Sequence, residues 1–446
     1  MNRDTIAAVA TAPGEGAIAV IRLSGPEAFA IGEAIFSRPI HAFKSHTAHY
    51  GNILKADGTP LDSVLLLLMR GPNSYTGEDS LEISCHGGQL ITRRVLERIF
   101  QAGARPARPG EFSLRAYLNG KIDLAQAEAV QELIAAKSEL ALENAERQLQ
   151  GALSDKIGAF QKELTDIAAI LEAWVDFPEE DLAFAAMDEI AHRLQSISLR
   201  MEKLQATFHD GKALHDGLSL CLVGSPNVGK SSLMNALLRK NRAIVTEIAG
   251  TTRDLLEEDL HLGQLHFKLI DTAGIRETDE VIEKEGIRRS HSAMQEADVI
   301  LLLLDASRPL TPQDRHLLAT APAHKTVAIW NKIDLGAPPE SIPSVQISAK
   351  ELLGLDALKE AIEALIWKQG APPKDEVLIT KLRHYQALTN AIQSCQAVIA
   401  GLKSGISAEF VASDMRAALN ELAAIIGTNV TEDILSAIFS QFCLGK

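Results

Sequence analysis

The chain has little cysteine, few aromatic residues and no excess of positive charge. Its 4 cysteines lie far apart in 446 residues, without a Cys-x-x-Cys pair, which excludes a disulfide framework and a zinc ribbon. Aromatic residues make up only 4% of the chain, so its cores must be built mainly from aliphatic side chains and alanine. A formal net charge of −14 excludes a protein that holds nucleic acid through overall basicity, although a local basic patch is compatible with it.

Long apolar runs and a secretory signal are also missing from the sequence. The longest apolar runs, 64–69 and 299–304, are far shorter than the roughly 18 residues that a membrane span requires. The N-terminal residues Met-Asn-Arg-Asp do not begin a signal peptide. We therefore expect a reduced, cytoplasmic protein without a membrane segment.

Glycine and proline punctuation divides the chain into four segments. Residues 1–118 alternate short β-type runs with Gly/Pro turns, which predicts an α+β domain. Residues 119–212 contain one proline, Pro178, and repeat apolar residues every three or four positions, which is typical of long amphipathic helices. In 213–370, short apolar strands alternate with helices, as in a parallel α/β sheet, and 371–446 are helical again. We predict an α/β domain inserted between two parts of one helical domain.

The strongest motif is a phosphate-binding loop. Residues 224–231 read GSPNVGKS, which matches G-x-x-x-x-G-K-S, and they lie between an apolar strand and a predicted helix at 232–238. Backbone amides and the helix N-terminus would hold the β-phosphate. Lys230 would reach the β- and γ-phosphates, and the Ser231 hydroxyl would bind Mg²⁺. The alternative, a glycine-rich turn with an incidental lysine, does not explain the strand and helix on either side.

Three further motifs follow in the order that GTPases use. Asp-Thr-Ala-Gly at 271–274 ends a strand, and Asp271 would hold Mg²⁺ through water. Asn-Lys-Ile-Asp at 331–334 ends another strand, where the Asp334 carboxylate would accept hydrogen bonds from guanine N1 and N2. Adenine lacks those donors, so GTP is preferred over ATP. Ser-Ala-Lys at 348–350 would place a backbone amide at guanine O6.

A switch segment lies between the phosphate loop and residue 271. It spans 246–254, and Thr252 is its natural Mg²⁺ ligand in the GTP state, although a capped turn before a strand is the alternative reading. The predicted GTP contacts are Asn227, Val228, Gly229, Lys230, Ser231, Ser232, Thr246, Glu247, Ile248, Ala249, Gly250, Thr251, Thr252, Asp271, Thr272, Ala273, Gly274, Asn331, Lys332, Asp334, Ser348, Ala349 and Lys350.

The residue that would orient the attacking water is not obvious from the motifs. Ras-type enzymes use a Gln directly after the 271–274 motif, but this chain has Ile275, which cannot hydrogen-bond to water. An acidic side chain within 276–286 could take this role, and the residues alone do not choose among them. A monovalent cation could neutralise charge if Asn227 and switch carbonyls bind it.

Several longer blocks resemble one known family. They are residues 71–79 (GPNSYTGED), 108–112 (RPGEF), 121–128 (KIDLAQAE), the Asn-containing phosphate loop, 250–254 (GTTRD) and 442–446 (FCLGK). With these blocks, the whole chain resembles the bacterial tRNA modification GTPases of the MnmE (TrmE) family. That family usually ends in Cys-Ile-Gly-Lys, and here Leu444 replaces the isoleucine conservatively.

The resemblance implies a fold and further site residues. The N-terminal domain would bind tetrahydrofolate like an aminomethyltransferase domain and would dimerise, beside an all-helical domain and an inserted Ras-like GTPase domain with a mostly parallel sheet. The implied K⁺ ligands are Asn227, Thr246, Ile248 and Thr251. The implied folate contacts are Arg22, Glu82, Lys121 and Lys446. The implied catalytic residues are Glu283, which would orient water, Lys230, and Cys443 as a candidate reactive thiol.

The resemblance also implies a reaction and its partners. A homodimer would hydrolyse GTP with stimulation by K⁺. With the FAD-dependent protein MnmG (GidA) and 5-formyl- or methylene-tetrahydrofolate, it would add a (carboxymethyl)aminomethyl group to C5 of the wobble uridine of certain tRNAs. The alternative is a ribosome-assembly or signalling GTPase with non-catalytic appended domains. The acidic chain and the folate-type blocks favour the tRNA-modifying reading, since an RNA-binding assembly factor would be expected to carry a basic module.

Overall fold

The computed structural model describes most of the chain. The described residues are 4–176, 184–241, 259–263, 265–270, 293–367, 376–443 and 445. They form two compact units. The first comprises Met1–Ile134, Glu146–Ser198 and Ala387–Lys446, and the second comprises Ala135–Ala145 and Leu199–Gln386. Within the described ranges, no helix is both long enough and apolar enough to span a bilayer.

The first unit contains a six-stranded sheet. Its strands are β1 Ile6–Val9, β2 Ile18–Ser24, β3 Thr47–Leu54, β4 Pro60–Met69, β5 Ser80–His86 and β6 Arg105–Pro106. The strand order is β3-β4-β5-β2-β1-β6, and every pair is antiparallel except β1–β6. The accompanying helices are α1 Ala28–Ile35, α2 Gln89–Gln101 and α3 Glu111–Leu118, with a short 3₁₀ turn at Ile40–Ala42.

Strand β4 shows why one face of this sheet forms the core. Val64, Leu66 and Leu68 are buried, and they pack with buried residues of α1 and α2 in one cluster. Leu65 points to the opposite face, where it pairs with Tyr50 on β3, and both are exposed. Side chains alternate between faces along a strand, so this pattern leaves a partly apolar second face.

The remainder of the first unit is helical, and some of its helices continue into the second unit. Before the second sheet lie α4 Leu124–Ala135, α5 Glu139–Leu149, α6 Ala152–Asp176, α7 Phe184–Ala206 and α8 Phe208–Asp216. Helices α6 and α7 present buried leucine and isoleucine at the helical spacing that the sequence predicts, for example Leu164, Ile167 and Leu171 on α6.

The second unit contains another six-stranded sheet. Its strands are β7 Leu218–Val223, β8 Asp259–Leu262, β9 Leu265–Ile270, β10 Val299–Asp305, β11 Thr326–Asn331 and β12 Val345–Gln346. The order is β12-β11-β10-β7-β9-β8, and only the β8–β9 pair is antiparallel. The described helices of this sheet are α9 Lys230–Asn241, α10 Pro312–Thr320 and α11 Leu355–Ile366, with a 3₁₀ turn at Ala323–Lys325.

Helices resume after the second sheet and return to the first unit. They are α12 Leu382–Ser404, α13 Ala408–Ile426 and α14 Glu432–Phe439. Helix α13 packs along α6 although the residues of the second sheet separate the two helices in sequence, so one helical core is built from both stretches of chain. The α+β sheet, the helices and the inserted, mostly parallel sheet confirm the predicted fold class. The exact domain boundaries, 118, 212 and 370, remain a prediction.

Candidate functional site

The phosphate loop connects the end of β7 to the start of α9, as the motif predicts. Asn227 has φ 63° and Gly229 has φ 101°, so both residues lie in the left-handed region. A Cβ atom at Gly229 would overlap the Asn331 side-chain nitrogen, and glycine is therefore required there by space as well as by conformation. The predicted helix at 232–238 is longer in the structure, Lys230–Asn241, so Lys230 and Ser231 belong to its first turn.

The Lys230 side chain folds back over the phosphate loop. Its Nζ donates to Gly224 O at 2.8 Å and to Ser225 O at 3.0 Å. Burial lowers the pKa of Lys230 from its ordinary value, because removal from water disfavours the charged form. Ser231 and Ser232 are exposed at the start of α9, where backbone amides are available to an anion.

The predicted guanine-reading residues lie next to the phosphate loop. Asn331, at the end of β11, is buried; its Nδ2 donates to Val228 O at 2.8 Å, and its Oδ1 accepts from Ala349 N at 3.0 Å. Lys332 donates from Nζ to Asn227 O at 2.7 Å. One buried amide thus joins the phosphate loop, the 331–334 motif and the 348–350 motif.

The outer members of these motifs face solvent. Asp334 is exposed, as is the Lys350 side chain, whereas Ser348 and Ala349 are buried. An exposed carboxylate beside a buried backbone segment can accept hydrogen bonds from the edge of a base. The predicted residues Thr246, Glu247, Ile248, Ala249, Gly250, Thr251, Thr252, Asp271, Thr272, Ala273, Gly274, Glu283 and Lys446 lie outside the residues that the structure describes.

A second cluster lies in the first unit, around Arg22 and Glu82. The two residues are cross-strand neighbours on β2 and β5, and the Arg22 Nε and Nη2 atoms lie 2.9 Å and 2.8 Å from Glu82 Oε1. The Arg22 guanidinium carbon lies 5.3 Å from the ring centre of Tyr75 and 5.7 Å from that of Phe112. Both contacts are within cation–π range, so the guanidinium is held by charge and by aromatic faces together.

The C-terminal segment reaches this cluster. Arg22 Nη1 donates to Gly445 O at 3.4 Å, which joins residues 423 positions apart. Phe442 is buried with Phe439 in a small apolar cluster, and this anchors the segment in the first unit. Cys443 lies between Phe442 and Gly445 and is exposed, while Cys85, Cys221 and Cys395 are buried.

Lys121 stands at the loop of residues 71–79 instead of contacting Arg22. Its Nζ donates to Pro72 O at 3.0 Å. Tyr75, from the same loop, hydrogen-bonds through its hydroxyl to Ser113 at 2.8 Å, and burial raises its pKa. Tyr75 and Phe112 belong to blocks that the sequence singles out, but the sequence gives neither residue a role, since only the folded chain puts them beside Arg22.

A charge network centred on the buried Arg115 fixes the loop 71–79. Arg115 Nη1 donates to Glu78 Oε2 at 3.1 Å, and Arg115 Nη2 donates to Asp4 Oδ1 at 2.8 Å and to Glu111 Oε1 at 3.2 Å. Ser24 also donates to Glu78, at 2.6 Å. The loop that carries Tyr75 is thus held to β2 and α3 by charged hydrogen bonds, which are about twice as strong as neutral ones.

Comparisons with known proteins cover the chain from end to end. The family model described as the MnmE helical domain matches residues 124–443, and the model described as the GTP-binding protein TrmE N-terminus matches residues 5–121. Among solved structures, a variant of Era from Aquifex aeolicus bound to GDP and aluminium fluoride is 27% identical. It covers 40% of this chain and 66% of its own with a TM-score of 0.26.

Curated relatives match at full length. The tRNA modification GTPase MnmE of Protochlamydia amoebophila is 59% identical over 449 residues, which is 99% of this chain and 98% of the relative. MnmE of Chlamydia felis is 44% identical over 449 residues and covers 100% of both chains. MnmE of Geobacter sulfurreducens is 42% identical over 452 residues and covers 99% of both. The chain belongs to the MnmE family of tRNA modification GTPases.

Proposed function

We propose that this protein hydrolyses GTP to drive modification of tRNA at C5 of the wobble uridine. With an FAD-dependent MnmG partner, it would add a (carboxymethyl)aminomethyl group there, and it would act in the cytoplasm with its tRNA substrates. The observation that carries the GTPase part is the buried Asn331 amide, which ties the phosphate loop to the guanine-reading segment at 2.8 Å and 3.0 Å. The family carries the tRNA part.

The nucleotide site fits a guanine nucleotide with Mg²⁺. Ser231 lies in the first turn of α9 and is exposed, and its hydroxyl oxygen is of the kind that suits a hard cation such as Mg²⁺. Ser231 and Thr252 would hold the ion, which would neutralise charge on the phosphates. Lys230 would exchange its two carbonyl acceptors in the loop for phosphate oxygens, and Asp334 would accept from the guanine ring.

Potassium is proposed as the stimulating cation. Asn227 is exposed and held in the left-handed conformation, so its amide oxygen is available at the rim of the phosphate loop. Thr246, Ile248 and Thr251 would supply the other ligands. Potassium would take the place of an arginine finger, which raises kcat by about 10³–10⁵. GTP turnover should therefore rise strongly in K⁺ and little in Na⁺. Asn227→Ala should lose the K⁺ response while retaining GDP, and equal rates in both salts would refute the role of potassium.

Glu283 is the residue proposed to orient water. A carboxylate that acts mainly in the transition state should affect kcat more than binding. We expect Glu283→Ala to lower kcat with nearly unchanged GTP affinity. If that variant hydrolyses GTP at the wild-type rate, the role belongs to another acidic residue, such as Glu277, Asp279 or Glu280.

The Arg22–Glu82 cluster is proposed to bind a reduced folate. A guanidinium suits the folate carboxylates, and a carboxylate suits pterin nitrogens. The half-buried ring of Tyr75 lies 5.3 Å from the Arg22 guanidinium carbon and offers a flat apolar surface beside it. Lys121 and Lys446 would complete the site. A bound 5-formyl- or methylene-tetrahydrofolate would supply the one-carbon unit.

The folate proposal is tested by calorimetry on the full chain with 5-formyltetrahydrofolate and no nucleotide. Arg22→Ala and Glu82→Ala should each weaken binding by roughly tenfold or more, since a hydrogen bond to a charged group contributes about 1.5–3 kcal/mol. Arg38→Ala is the control, since Arg38 is held by the exposed carbonyl of Tyr50 outside this cluster. Absence of binding heat for the wild type would contradict the folate role.

A second copy of this chain is the occupant that we propose for the open face of the first sheet. Ile18, Tyr50 and Leu65 are exposed there by 64%, 65% and 50%, and cross-strand pairing places them on the face that also carries Arg22 and Glu82. Exposed apolar patches of this kind mark protein contacts. Light scattering should find a dimer for the wild type and monomers for Tyr50→Glu. A monomeric wild type at micromolar concentration would contradict the proposal.

The reaction itself is tested in cells that lack this protein. Mass spectrometry should show wobble uridine without the C5 group, and the intact gene should restore it, whereas Lys230→Ala should not. Cys443→Ser should reduce modification more than GTP hydrolysis if the thiol reacts, and full modification would assign that cysteine a structural role. Unchanged tRNA nucleosides together with abnormal ribosomal particles would support an assembly GTPase instead.

A further inference from the structure

A set of side chains, three of them outside the sequence motifs, connects two points of the phosphate loop. The first point is Ser225, which is buried and whose Oγ donates to Asp314 Oδ1 at 2.6 Å. Asp314 is the N3 residue of α10 and forms a capping box with Thr311. In that box only Oδ2 is used, since it accepts from Thr311 N at 2.9 Å and from Thr311 Oγ1 at 2.7 Å. The other oxygen is therefore free to hold Ser225.

The second point is the carbonyl of Asn227. It accepts from Lys332 Nζ at 2.7 Å, and the same Nζ donates to Asp305 Oδ2 at 2.6 Å. Asp305 is the last residue of β10 and is buried. Its Oδ1 accepts from the Ser307 amide at 3.0 Å and from the Ser307 hydroxyl at 2.6 Å. Every described oxygen of this carboxylate thus has a partner.

Arg308 joins the two halves. Its Nη1 donates to Asp314 Oδ2 at 3.2 Å, and its Nε lies 3.7 Å from Asp305 Oδ2. The contacts therefore run from Ser225 through Asp314, Arg308, Asp305 and Lys332 back to Asn227, only two residues from the start. We call this set the loop ring.

The charges of the loop ring are balanced and fixed. Burial alone would raise the pKa of Asp305, but hydrogen bonds from Lys332 and Ser307 outweigh it and lower the pKa. The same holds for Asp314, where the hydrogen bonds come chiefly from Ser225 and Thr311. Both acids are thus ionised at neutral pH, and the two cations lie next to them.

We propose that Asp314, Arg308 and Asp305 are positioning residues of the nucleotide site, which act through Ser225 and Lys332 without touching the nucleotide. This rests on the nucleotide role of the phosphate loop. Asn227 occupies the left-handed region, which is uncommon for residues other than glycine, although asparagine tolerates it better than most. Such conformations persist where the surroundings over-determine them. The loop ring supplies this constraint, because it fixes the chain on both sides of the intervening Pro226.

The proposal makes nucleotide affinity depend on residues remote from the phosphates. Ser225→Ala removes one link and leaves the α10 capping box intact, and Arg308→Met separates the two halves. Each should weaken GDP binding by roughly tenfold, since each removes a hydrogen bond to a charged group. Each should also raise the K⁺ concentration needed for half-maximal GTP turnover. Arg315→Met is the matched control, because Arg315 also lies on α10 but pairs with Glu340 on the surface.

Fluorescent GDP titration, with the unfolding temperature of every variant measured in parallel, separates positioning from stability. Among the residues that the structure describes, Ser225 and Asp305 share no direct partner, so independent effects would multiply to within about twofold in the double variant Ser225→Ala/Asp305→Asn. If the loop ring acts as one unit, the second substitution should reduce GDP affinity much less than it does alone, because the first substitution has already released the phosphate loop.

The outcomes are distinct. Weaker GDP binding for Ser225→Ala and Arg308→Met, with Arg315→Met at the wild-type value, supports the proposal. Wild-type GDP affinity in the first two variants, or a double variant whose losses multiply, overturns it, even if the unfolding temperature falls. Absence of GDP binding to the wild-type protein would refute the proposed function itself, and with it the positioning role of the loop ring.

Discussion

Replacing Asn331 by alanine would remove the side-chain amide that joins the phosphate loop to the guanine-reading loops. The Asn331 side chain pairs with Val228 O at 2.8 Å and with Ala349 N at 3.0 Å, and all three residues are buried. Alanine can neither donate nor accept through its side chain. Both main-chain groups would therefore lose their partner while remaining inside the protein.

The size of the effect follows from these two groups. A buried polar group without a partner costs about 1–3 kcal/mol, so two of them cost about 2–6 kcal/mol before relaxation. Movement of the phosphate loop toward water would recover part of this. We expect about 3 kcal/mol of lost stability, which is large against the 5–15 kcal/mol that typical proteins have. GDP affinity should fall by at least tenfold, because the loop would no longer be held in its binding conformation.

Urea unfolding followed by tryptophan fluorescence provides the assay. Of the 3 tryptophans, Trp330 and Trp367 lie in the second unit, and the transition that belongs to the nucleotide site is the one that GDP shifts to higher urea. Asn235→Ala is the control, since Asn235 is exposed on α9, and it should change stability by about 0.5 kcal/mol or less. A loss below about 1 kcal/mol for Asn331→Ala, with wild-type GDP affinity, would refute the reasoning.

Three further outcomes are expected. Asp334→Asn should weaken GTP and favour xanthosine nucleotides in competition binding, whereas equal wild-type affinity for ATP and GTP would contradict the role of Asp334. In the first unit, Arg115→Met should cost about 3 kcal/mol in urea unfolding, because it leaves Asp4 and Glu111 without one of their cations. A hydrogen bond from Arg105 lowers the pKa of Asp4, and hydrogen bonds led by that from Arg105 outweigh the burial that would raise the pKa of Glu111. Asp4 and Glu111 therefore contribute their full stabilisation above the ordinary pKa values of 3.8 and 4.5, and they lose it as the pH falls through their lower folded pKa values. Urea unfolding measured from pH 7 to pH 5 should thus show no loss of stability from these two carboxylates.

The sequence predicts elements best where one physical signal dominates. The continuously apolar run of β10 predicts a buried parallel strand, and the structure has it at Val299–Asp305. The short edge strands β8 and β12 carry no comparable run, so their residues do not predict them. Their pairing partners, not their composition, make them strands.

The candidate sites divide in the same way. The phosphate loop and the 331–334 motif are predictable because their residues are adjacent in sequence and follow strand ends. Arg22 and Glu82 are 60 positions apart, and their pairing depends on the register of β2 with β5, which no local pattern encodes. Only the resemblance to the family brought these two residues together before the structure did.

The sheet topology predicts part of the loop ring but not all of it. In an α/β sheet, the segments after neighbouring parallel strands meet at the carboxyl edge, and β7, β10 and β11 are neighbours. This rule alone would bring together Ser225, Asp305 and Lys332, which follow or end those strands. It could not place Asp314, because a Thr-x-x-Asp capping box uses one carboxylate oxygen and is silent about the other. The partner of that second oxygen depends on how closely α10 approaches the phosphate loop, and this distance is set by packing of the whole domain.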